Sequence, residues 1–224
     1  MEKGYSELFG TRGTALYPSR SLNTQVKTPS EVLLRAKQFD YSIGFAGSIA
    51  TKEYALMLLM LSQVLADLGG LLYIYGPHSA ESLAMCGLSS NNVICKGLLS
   101  SCDLITDMHD KLDALYVPIS FEQSAFHSAA YAFPSKLADY TCTSLPIVIQ
   151  APLYASAAQW ASIYHGAIVV DSIGTDALKK ALLSLDSQRL YDHYCYFAHE
   201  AGMKTFQHSI QAAKFFRVIQ NSLA

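Results

Sequence analysis

Three polar residues of one short segment could together bind an anion and a diol. Pro134 and Ser135 are typical of a helix start, with Ser135 as the predicted N-cap and Lys136 in the first turn. A cation beside the free amides of a helix start favours a negatively charged ligand. Asp139 shares the helix face of Lys136, and its carboxylate could accept hydrogen bonds from a diol. The segment predicts a site for a ligand that carries phosphate next to a diol.

The elements around this segment alternate between short apolar strands and helices. Such alternation predicts an α/β, Rossmann-like three-layer αβα domain, with a mostly parallel sheet of about six strands. Predicted strands cover residues 41–49, 71–75, 92–96, 114–120, 146–150 and 167–170. Predicted helices cover residues 31–38, 52–68, 80–85, 101–111, 155–164, 175–185, 187–200 and 203–222, besides the one at Lys136, while 121–132 is predicted to be an irregular loop.

The chain divides at about residue 40 by composition. Residues 1–30 are rich in Gly, Ser, Thr and Pro, so residues 1–40 are predicted to be a linker or N-terminal arm. Residues 41–224 form the predicted domain, which ends in C-terminal helices.

Small and polar residues follow several of the predicted strands. Gly47-Ser48 ends the first strand, with Lys52 soon after, and Gly97 ends the third. Ligands of open α/β sheets bind outside the carboxyl ends of the strands, so we expect these residues to share a rim with Lys136. Each also has a simpler interpretation: a tight turn with a solvated lysine at Gly47–Lys52, a strand terminus at Gly97, and an exposed intrahelical ion pair between Lys136 and Asp139.

The charge and the cysteine spacing argue against a nucleic-acid-binding protein and against a zinc protein. A net charge of −2, with 15% charged residues, leaves no basic tract for nucleic acid. The five cysteines show no zinc-type spacing, so no metal site is expected, and buried reduced thiols of a cytoplasmic protein are predicted. The first residues lack the apolar core of a signal peptide, and the longest apolar run, 54–66, is too short to cross a bilayer.

The segment from Phe133 to Ile149 resembles the donor-binding signature of retaining glycosyltransferases of family 4, which have the two-domain GT-B fold. In that family a helix with Lys-x-x-Glu precedes a Gly-x-Pro-Val/Ile strand entry, and the acidic residue lies seven positions before the proline. Asp139 and Pro146 have this spacing. Asp in place of Glu, and Ser144 in place of Gly, depart from the pattern. The resemblance spans roughly residues 41–224 and implies one half of a GT-B fold.

The resemblance also implies roles for individual residues. It assigns the donor diphosphate to Gly47, Ser48, Lys52, Ser135 and Lys136, the ribose to Asp139, and the base to backbone groups of Lys96, Gly97 and Leu98. Many members carry a Glu eight residues before the ribose-binding carboxylate, where this chain has Tyr131. Glu122 or His127 is therefore the candidate sugar contact, against the alternative that both are exposed loop residues.

The implied function is transfer of a sugar from a UDP- or GDP-sugar to an acceptor, with retention of configuration and without a metal or other cofactor. The acceptor would be held by an N-terminal domain missing from this chain, and a peripheral membrane association through that acceptor stays open. One alternative is a non-catalytic single-domain module that binds nucleotide sugars and is active only with a partner domain. Another is a different GT-B enzyme, such as a nucleotide-sugar epimerase.

Overall fold

The computed structural model describes residues 2–10, 13–33 and 40–223. The strands are β1 (Ser42–Ala46), β2 (Leu71–Tyr75), β3 (Val93–Gly97), β4 (Ala114–Pro118), β5 (Ile147–Gln150) and β6 (Ile168–Val170). The helices are α1 (Glu2–Phe9), α2 (Pro29–Leu33), α3 (Lys52–Leu68), α4 (Ala80–Met85), α5 (Ser101–Lys111), α6 (Phe126–Tyr131), α7 (Lys136–Tyr140), α8 (Ser156–Tyr164), α9 (Thr175–Ser184), α10 (Gln188–Thr205) and α11 (His208–Leu223).

The six strands form one sheet in the order β3-β2-β1-β4-β5-β6, and every pair is parallel. Alternate side chains of each strand enter two separate cores. Ile43 and Phe45 of β1 pack with α3, α4 and α9 on one face, whereas Leu115 and Val117 of β4 pack with α5, α7, α8 and α10 on the other. The predicted Rossmann-like three-layer fold is confirmed.

Capping residues explain why several predicted helix boundaries are right. The Thr51 side chain accepts the Tyr54 amide and starts α3, which ends where Gly69 adopts a left-handed conformation. Ser79 and Ser100 cap α4 and α5 in the same way. The predicted irregular loop over 121–132 is wrong, because it contains a 3₁₀ turn at Gln123–Ala125 and then α6.

The segment 13–33, which we call the arm, packs against the domain. Its Arg20 amide donates to the Phe206 carbonyl at 2.8 Å, and its Lys27 amide donates to the Cys142 carbonyl at 2.7 Å. The Tyr17 amide donates to Gln211 Oε1 of α11 at 3.0 Å. The arm therefore lies along the C-terminal helices and the turn after α7. The helix predicted over 31–38 begins earlier, at Pro29, and residues 34–38 lie outside the described part.

The sheet opens between β1 and β4, where the strand order reverses. These two strands are paired only at Ile43–Ala114 and Gly44–Leu115. Beyond that point the buried Tyr140 hydroxyl accepts the Ala46 amide at 2.6 Å and donates to the Tyr116 carbonyl at 3.4 Å. One phenol from α7 thus satisfies a backbone group of each separated strand, and it locks α7 against the carboxyl ends of both.

Two further expectations about the whole chain can be compared with the structure. Cys142 and Cys195 are buried, whereas Cys86 and Cys95 are half-buried and Cys102 is exposed, so predicted burial holds for only part of the set. Among the residues described, no helix is long and apolar enough to cross a membrane.

We predict that Tyr140→Phe lowers the free energy of unfolding by about 1–3 kcal/mol, because it leaves a buried amide and a buried carbonyl without their partner. Urea denaturation measures this change. Tyr17→Phe is the matched control, since no hydrogen bond of the Tyr17 hydroxyl occurs among the described residues. Equal effects of the two substitutions would contradict the bridging role of Tyr140.

Candidate functional site

The carboxyl ends of β1, β2 and β3 are joined by hydrogen bonds into one rim. The Gly47 amide donates to the Tyr75 carbonyl, and the Gly76 amide donates to the Gly97 carbonyl, both at 2.9 Å. His78 Nε2 lies 3.1 Å from the Gly47 carbonyl oxygen, which can only accept, so this ring nitrogen donates. His78 thus helps to fix the rim, and the ends of β1 and β3 at Gly47 and Gly97 lie along it, on either side of Gly76.

Two glycines allow the rim to be this tight. Gly47 and Gly76 have φ angles of +141° and +147°, which side chains rarely allow. A Cβ at Gly76 would lie 2.5 Å from the Gly47 oxygen, and a Cβ at Gly47 would lie 3.1 Å from Lys136 Nζ. Glycine at 47 therefore leaves the space into which the Lys136 ammonium extends.

Lys136 is a largely buried cation. Its Nζ lies 4.1 Å from the centre of the Phe45 ring, a cation–π contact. Within the described part of the chain it forms no ion pair, and the predicted alternative of a pair with Asp139 is absent. Burial lowers the pKa of Lys136 to about 8. A ligand anion beside Gly47 would supply the missing countercharge.

The predicted N-cap role of Ser135 is wrong. Ser135 has helical angles of φ −59° and ψ −29°, and its side chain makes no capping hydrogen bond. The first turn of α7 is instead closed by backbone bonds, from the Leu137 amide to the Pro134 carbonyl and from the Ala138 amide to the Ser135 carbonyl. Because α7 has only five residues, its dipole adds little positive potential at the start of the helix. The positive charge there comes from the Lys136 ammonium. The Ser135 side chain is exposed next to it.

Asp139 is half-buried, and its carboxylate has no hydrogen bond or ion pair to any described residue. Burial raises its pKa, and the positive charge of Arg20 opposes that change. When ionised, the group can only accept hydrogen bonds. It is thus available to a ligand that carries hydroxyl donors, as the sequence predicts.

A cleft of about 480 Å³ lies beside the start of α3. It brings Lys52 and Glu122 together, and a smaller neighbouring cavity of about 160 Å³ shares Tyr54, Ser120 and Ser128 with it. Ser48 is exposed in the loop between β1 and α3. The cleft therefore lies between the start of α3 and the segment that follows β4.

Glu53 holds the loop after β4 in place, a role that sequence reasoning missed. Its carboxylate accepts the Phe121 amide at 2.7 Å and also the Ser120 hydroxyl. The only local signal is an acidic residue in the first turn of a helix, which is also common where no such contact exists. Glu53 thereby fixes the wall of the cleft next to Glu122.

The two candidate sugar contacts lie in different places. Glu122 is exposed and lines the cleft with Lys52. His127 is exposed, is not among the lining residues of that cleft, and stacks on Tyr131 with ring centres 6.0 Å apart. The geometry favours Glu122 over His127.

The candidate base-binding residues lie at the end of β3. The Lys96 ammonium is 3.1 Å from Asp107, which also accepts the Tyr75 hydroxyl at 2.9 Å. The Lys96 side chain is therefore engaged with α5, which leaves its backbone for a ligand. Gly97 and Leu98 border open space, and Leu98 is 78% exposed.

Ser144 shows why the signature position usually held by Gly tolerates serine here. Its φ of +56° is left-handed, the region that favours glycine. The Ser144 hydroxyl donates to the Lys27 carbonyl of the arm at 2.7 Å and lies 3.1 Å from His199 Nδ1. These contacts offset the backbone strain.

No group of three or more His, Cys, Asp or Glu side chains suited to a metal occurs in the described ranges.

Comparison with solved structures identifies proteins with this architecture. HepE of Anabaena, crystallised with UDP and glucose, is 11% identical, with a TM-score of 0.70 over 98% of this chain and 60% of that one. Sucrose-phosphate synthase from Thermosynechococcus elongatus is 13% identical, with a TM-score of 0.72 over 99% of this chain and 56% of that one. The chain has the fold of a GT-B glycosyltransferase domain.

WaaG, a glycosyltransferase involved in lipopolysaccharide biosynthesis, is also similar, with 13% identity and a TM-score of 0.60 over 95% of this chain and 58% of that one. The chain thus spans less than two thirds of the length of these three GT-B proteins. At such low identity the likeness establishes the fold alone. No protein-family model and no curated protein sequence matches the chain.

We predict that Lys136 makes the free energy of unfolding increase with pH above about 8. Its folded-state pKa of about 8 is below the ordinary value of 10.5, so between these values the unfolded chain binds more protons and stability rises with pH. Urea unfolding at about pH 7 and about pH 9.5 should show wild type gaining stability relative to Lys136→Met. Lys180→Met, at an exposed lysine, controls for the loss of one charge. Parallel pH curves for wild type and Lys136→Met would contradict this.

Proposed function

We propose that this chain is the donor-binding domain of a glycosyltransferase that takes a sugar from a nucleoside-diphosphate sugar. The observation that carries the proposal is Lys136, a largely buried ammonium directed at Gly47 on the rim of the sheet, with no countercharge among the residues that the structure describes. Keeping a charge away from water is costly unless a partner compensates it. A donor diphosphate would provide that partner at the place where ligands of open α/β sheets bind.

The remaining polar residues of the rim complete a donor site. Gly47, Ser48, Lys52 and Ser135 join Lys136 at the diphosphate. Asp139 accepts hydrogen bonds from the ribose hydroxyls, and the backbone of Lys96, Gly97 and Leu98 contacts the base. Glu122, across the cleft from Lys52, contacts the sugar. This arrangement separates the nucleotide, held by the strand ends, from the sugar, which lies toward β4.

Chemistry at this site would depend on charge stabilisation. When the bond between the sugar and the diphosphate breaks, negative charge develops on the leaving phosphate. Fixed cations aimed at that charge lower the barrier, and Lys136 and Lys52 are the cations available. An approaching phosphate favours the protonated form of Lys136, because an opposite charge raises the pKa of a lysine. We propose that transfer occurs in the cytoplasm, proceeds with retention and needs no metal, as in family 4.

The solved relatives support a nucleotide-sugar donor. HepE has been crystallised with UDP, with UDP and glucose, and with UDP-glucose. The chain spans 60% of the length of HepE and 56% of that of the synthase. We therefore propose that a separate N-terminal domain binds the acceptor. The same coverage favours a second candidate, a nucleotide-sugar-binding module that turns over only with a partner domain. Release of UDP from UDP-glucose by this chain alone would favour the enzyme, and binding without release would favour the module.

We predict that Lys136→Ala weakens nucleoside-diphosphate binding roughly 10- to 100-fold, because it removes a charge-assisted contact to phosphate. A thermal-shift panel of UDP, GDP, ADP and their sugars first selects the nucleotide, and calorimetry then compares that diphosphate with its nucleoside. Nucleoside affinity should change less than about twofold, because only the phosphate contact is lost.

Lys180→Ala, at an exposed lysine of α9, is the control for that experiment and should leave both affinities unchanged. Equal losses for the diphosphate and the nucleoside would show that Lys136 does not contact phosphate. A wild-type chain that responds to no nucleotide would overturn the proposed function.

We also predict that chelation leaves donor binding intact. Lys136 and Lys52 supply the positive charge that a divalent ion provides elsewhere, so EDTA should change the affinity for UDP by less than about twofold. Calorimetry with and without EDTA measures this. Loss of binding in EDTA, with recovery on addition of Mg²⁺ or Mn²⁺, would contradict metal independence.

A further inference from the structure

Arg20 of the arm is a buried cation that contacts α7, although more than a hundred residues separate them. It is only 5% exposed. Its Nε donates to the Ala138 carbonyl at 3.3 Å, and its Nη2 donates to Thr141 Oγ1 at 2.8 Å. A guanidinium presents its donors in a rigid fork, so two such contacts fix both its plane and its partners.

The protein has space for this guanidinium only because residue 202 is glycine. A Cβ at Gly202 of α10 would collide with Arg20 Nη2 and with the Thr141 side chain. On the same side, Nη1 lies 3.6 Å from Met203 Sδ. Arg20 is therefore enclosed between α7 and α10, and its backbone amide is tied to the Phe206 carbonyl.

The acceptors of Arg20 bracket Asp139. Ala138 immediately precedes that residue, and Thr141 follows it by two positions. The Ala138 carbonyl also accepts the Thr141 hydroxyl at 3.1 Å and the Cys142 thiol at 3.2 Å, so several donors converge at this end of α7. Arg20 thus bonds the peptide carbonyl that precedes Asp139 and the side-chain hydroxyl of Thr141 beyond it, which restrains the turn of α7 that carries the carboxylate.

We propose that Arg20 is a positioning residue for Asp139, and that the arm is thereby part of the donor site. This inference rests on the proposed function, in which Asp139 receives the ribose hydroxyls. Arg20 acts through the Ala138 carbonyl and the Thr141 hydroxyl, which flank Asp139, and through its charge, which favours the ionised carboxylate. Without Arg20 the carboxylate would lose its orientation and would hold the ribose less well.

The inference is tested by how well the full chain distinguishes the nucleoside diphosphate that the thermal-shift panel selects from its 2′,3′-dideoxy analogue. Wild type should bind the natural diphosphate about tenfold more tightly, because the analogue lacks the hydroxyls from which Asp139 accepts hydrogen bonds. Arg20→Gln should reduce this ratio to about threefold or less, as Asp139→Asn does, while much of the diphosphate affinity remains. A general loss of stability would lower both affinities together and leave the ratio unchanged.

Gln211→Ala is the matched control. It removes the hydrogen bonds of Gln211 with the Tyr17 amide of the arm, at 3.0 Å, and with the Thr205 carbonyl, at 2.6 Å, and neither partner belongs to α7. It should keep the wild-type ratio, and loss of the ratio in this variant would overturn the specific role of Arg20. A folded Arg20→Gln variant that keeps the wild-type ratio would also overturn it.

Two outcomes separate this inference from the proposed function. If wild type binds no nucleoside diphosphate of the panel, both fail, whereas if it binds the selected diphosphate and its dideoxy analogue equally, only the ribose role and the inference fail. Should Arg20→Gln not fold, Arg20→Lys is measured against the same criterion. Failure of both variants to fold would make Arg20 a residue of general stability and would overturn the inference.

Discussion

The site depends on the separation of β1 from β4 at the point where the strand order reverses. Parallel strands that part leave backbone amides and carbonyls without partners, and such groups are costly when buried. Tyr140 removes that cost, because its hydroxyl bonds to Ala46 on one strand and Tyr116 on the other. The same residue ends α7, so the helix that carries Lys136 and Asp139 is attached where the sheet opens. The hydrogen bonds that satisfy the separated backbone groups therefore also place the helix of the candidate site.

Unlike the backbone groups that Tyr140 satisfies, the Lys136 ammonium is buried at a cost in free energy. Its neighbours are the Phe45 ring and the space left by Gly47, and burial moves its pKa toward neutrality. The ring contact offsets part of the cost of burial, since a cation–π pair contributes about 0.5–2 kcal/mol. Binding of an anion would offset more, because two opposite charges attract more strongly where water is excluded. Lys136 therefore carries a charge that a bound anion would stabilise more than its protein surroundings do.

The sequence predicts much of the fold because local signals and burial agree along the sheet. Continuous apolar runs place the strands within three residues, and the caps at Thr51, Ser79 and Ser100 place the bounds of α3, α4 and α5. The prediction fails where a distant contact decides. α6 lacks a side-chain cap and is held by Phe126 against Tyr154, with ring centres 4.7 Å apart.

The candidate site follows the same rule as the fold: the sequence predicts what local spacing decides and misses what distant contacts decide. Spacing places Lys136 at the rim, whereas the capping role expected of Ser135 belongs to backbone carbonyls. Tyr140, Glu53 and Arg20 reach partners far along the chain, and no local pattern distinguishes a tyrosine that bridges two strands from one that fills a core. Pairings over such sequence distances become visible only when the topology is known.

The two departures from the family 4 signature both involve the arm. Serine at position 144 adopts the left-handed angle at some cost, yet its hydroxyl gains the Lys27 carbonyl of the arm, a bond that glycine could not make. The side chain of Asp139 is one methylene shorter than that of glutamate. The positive charge of Arg20, from the same arm, opposes the rise that burial causes in the pKa of its carboxyl group. A shorter carboxylate tolerates less error in its placement, because it has fewer rotatable bonds with which to reach a hydroxyl. An arm that bonds the carbonyl before that aspartate and the Thr141 hydroxyl after it supplies the precision that the shorter side chain requires.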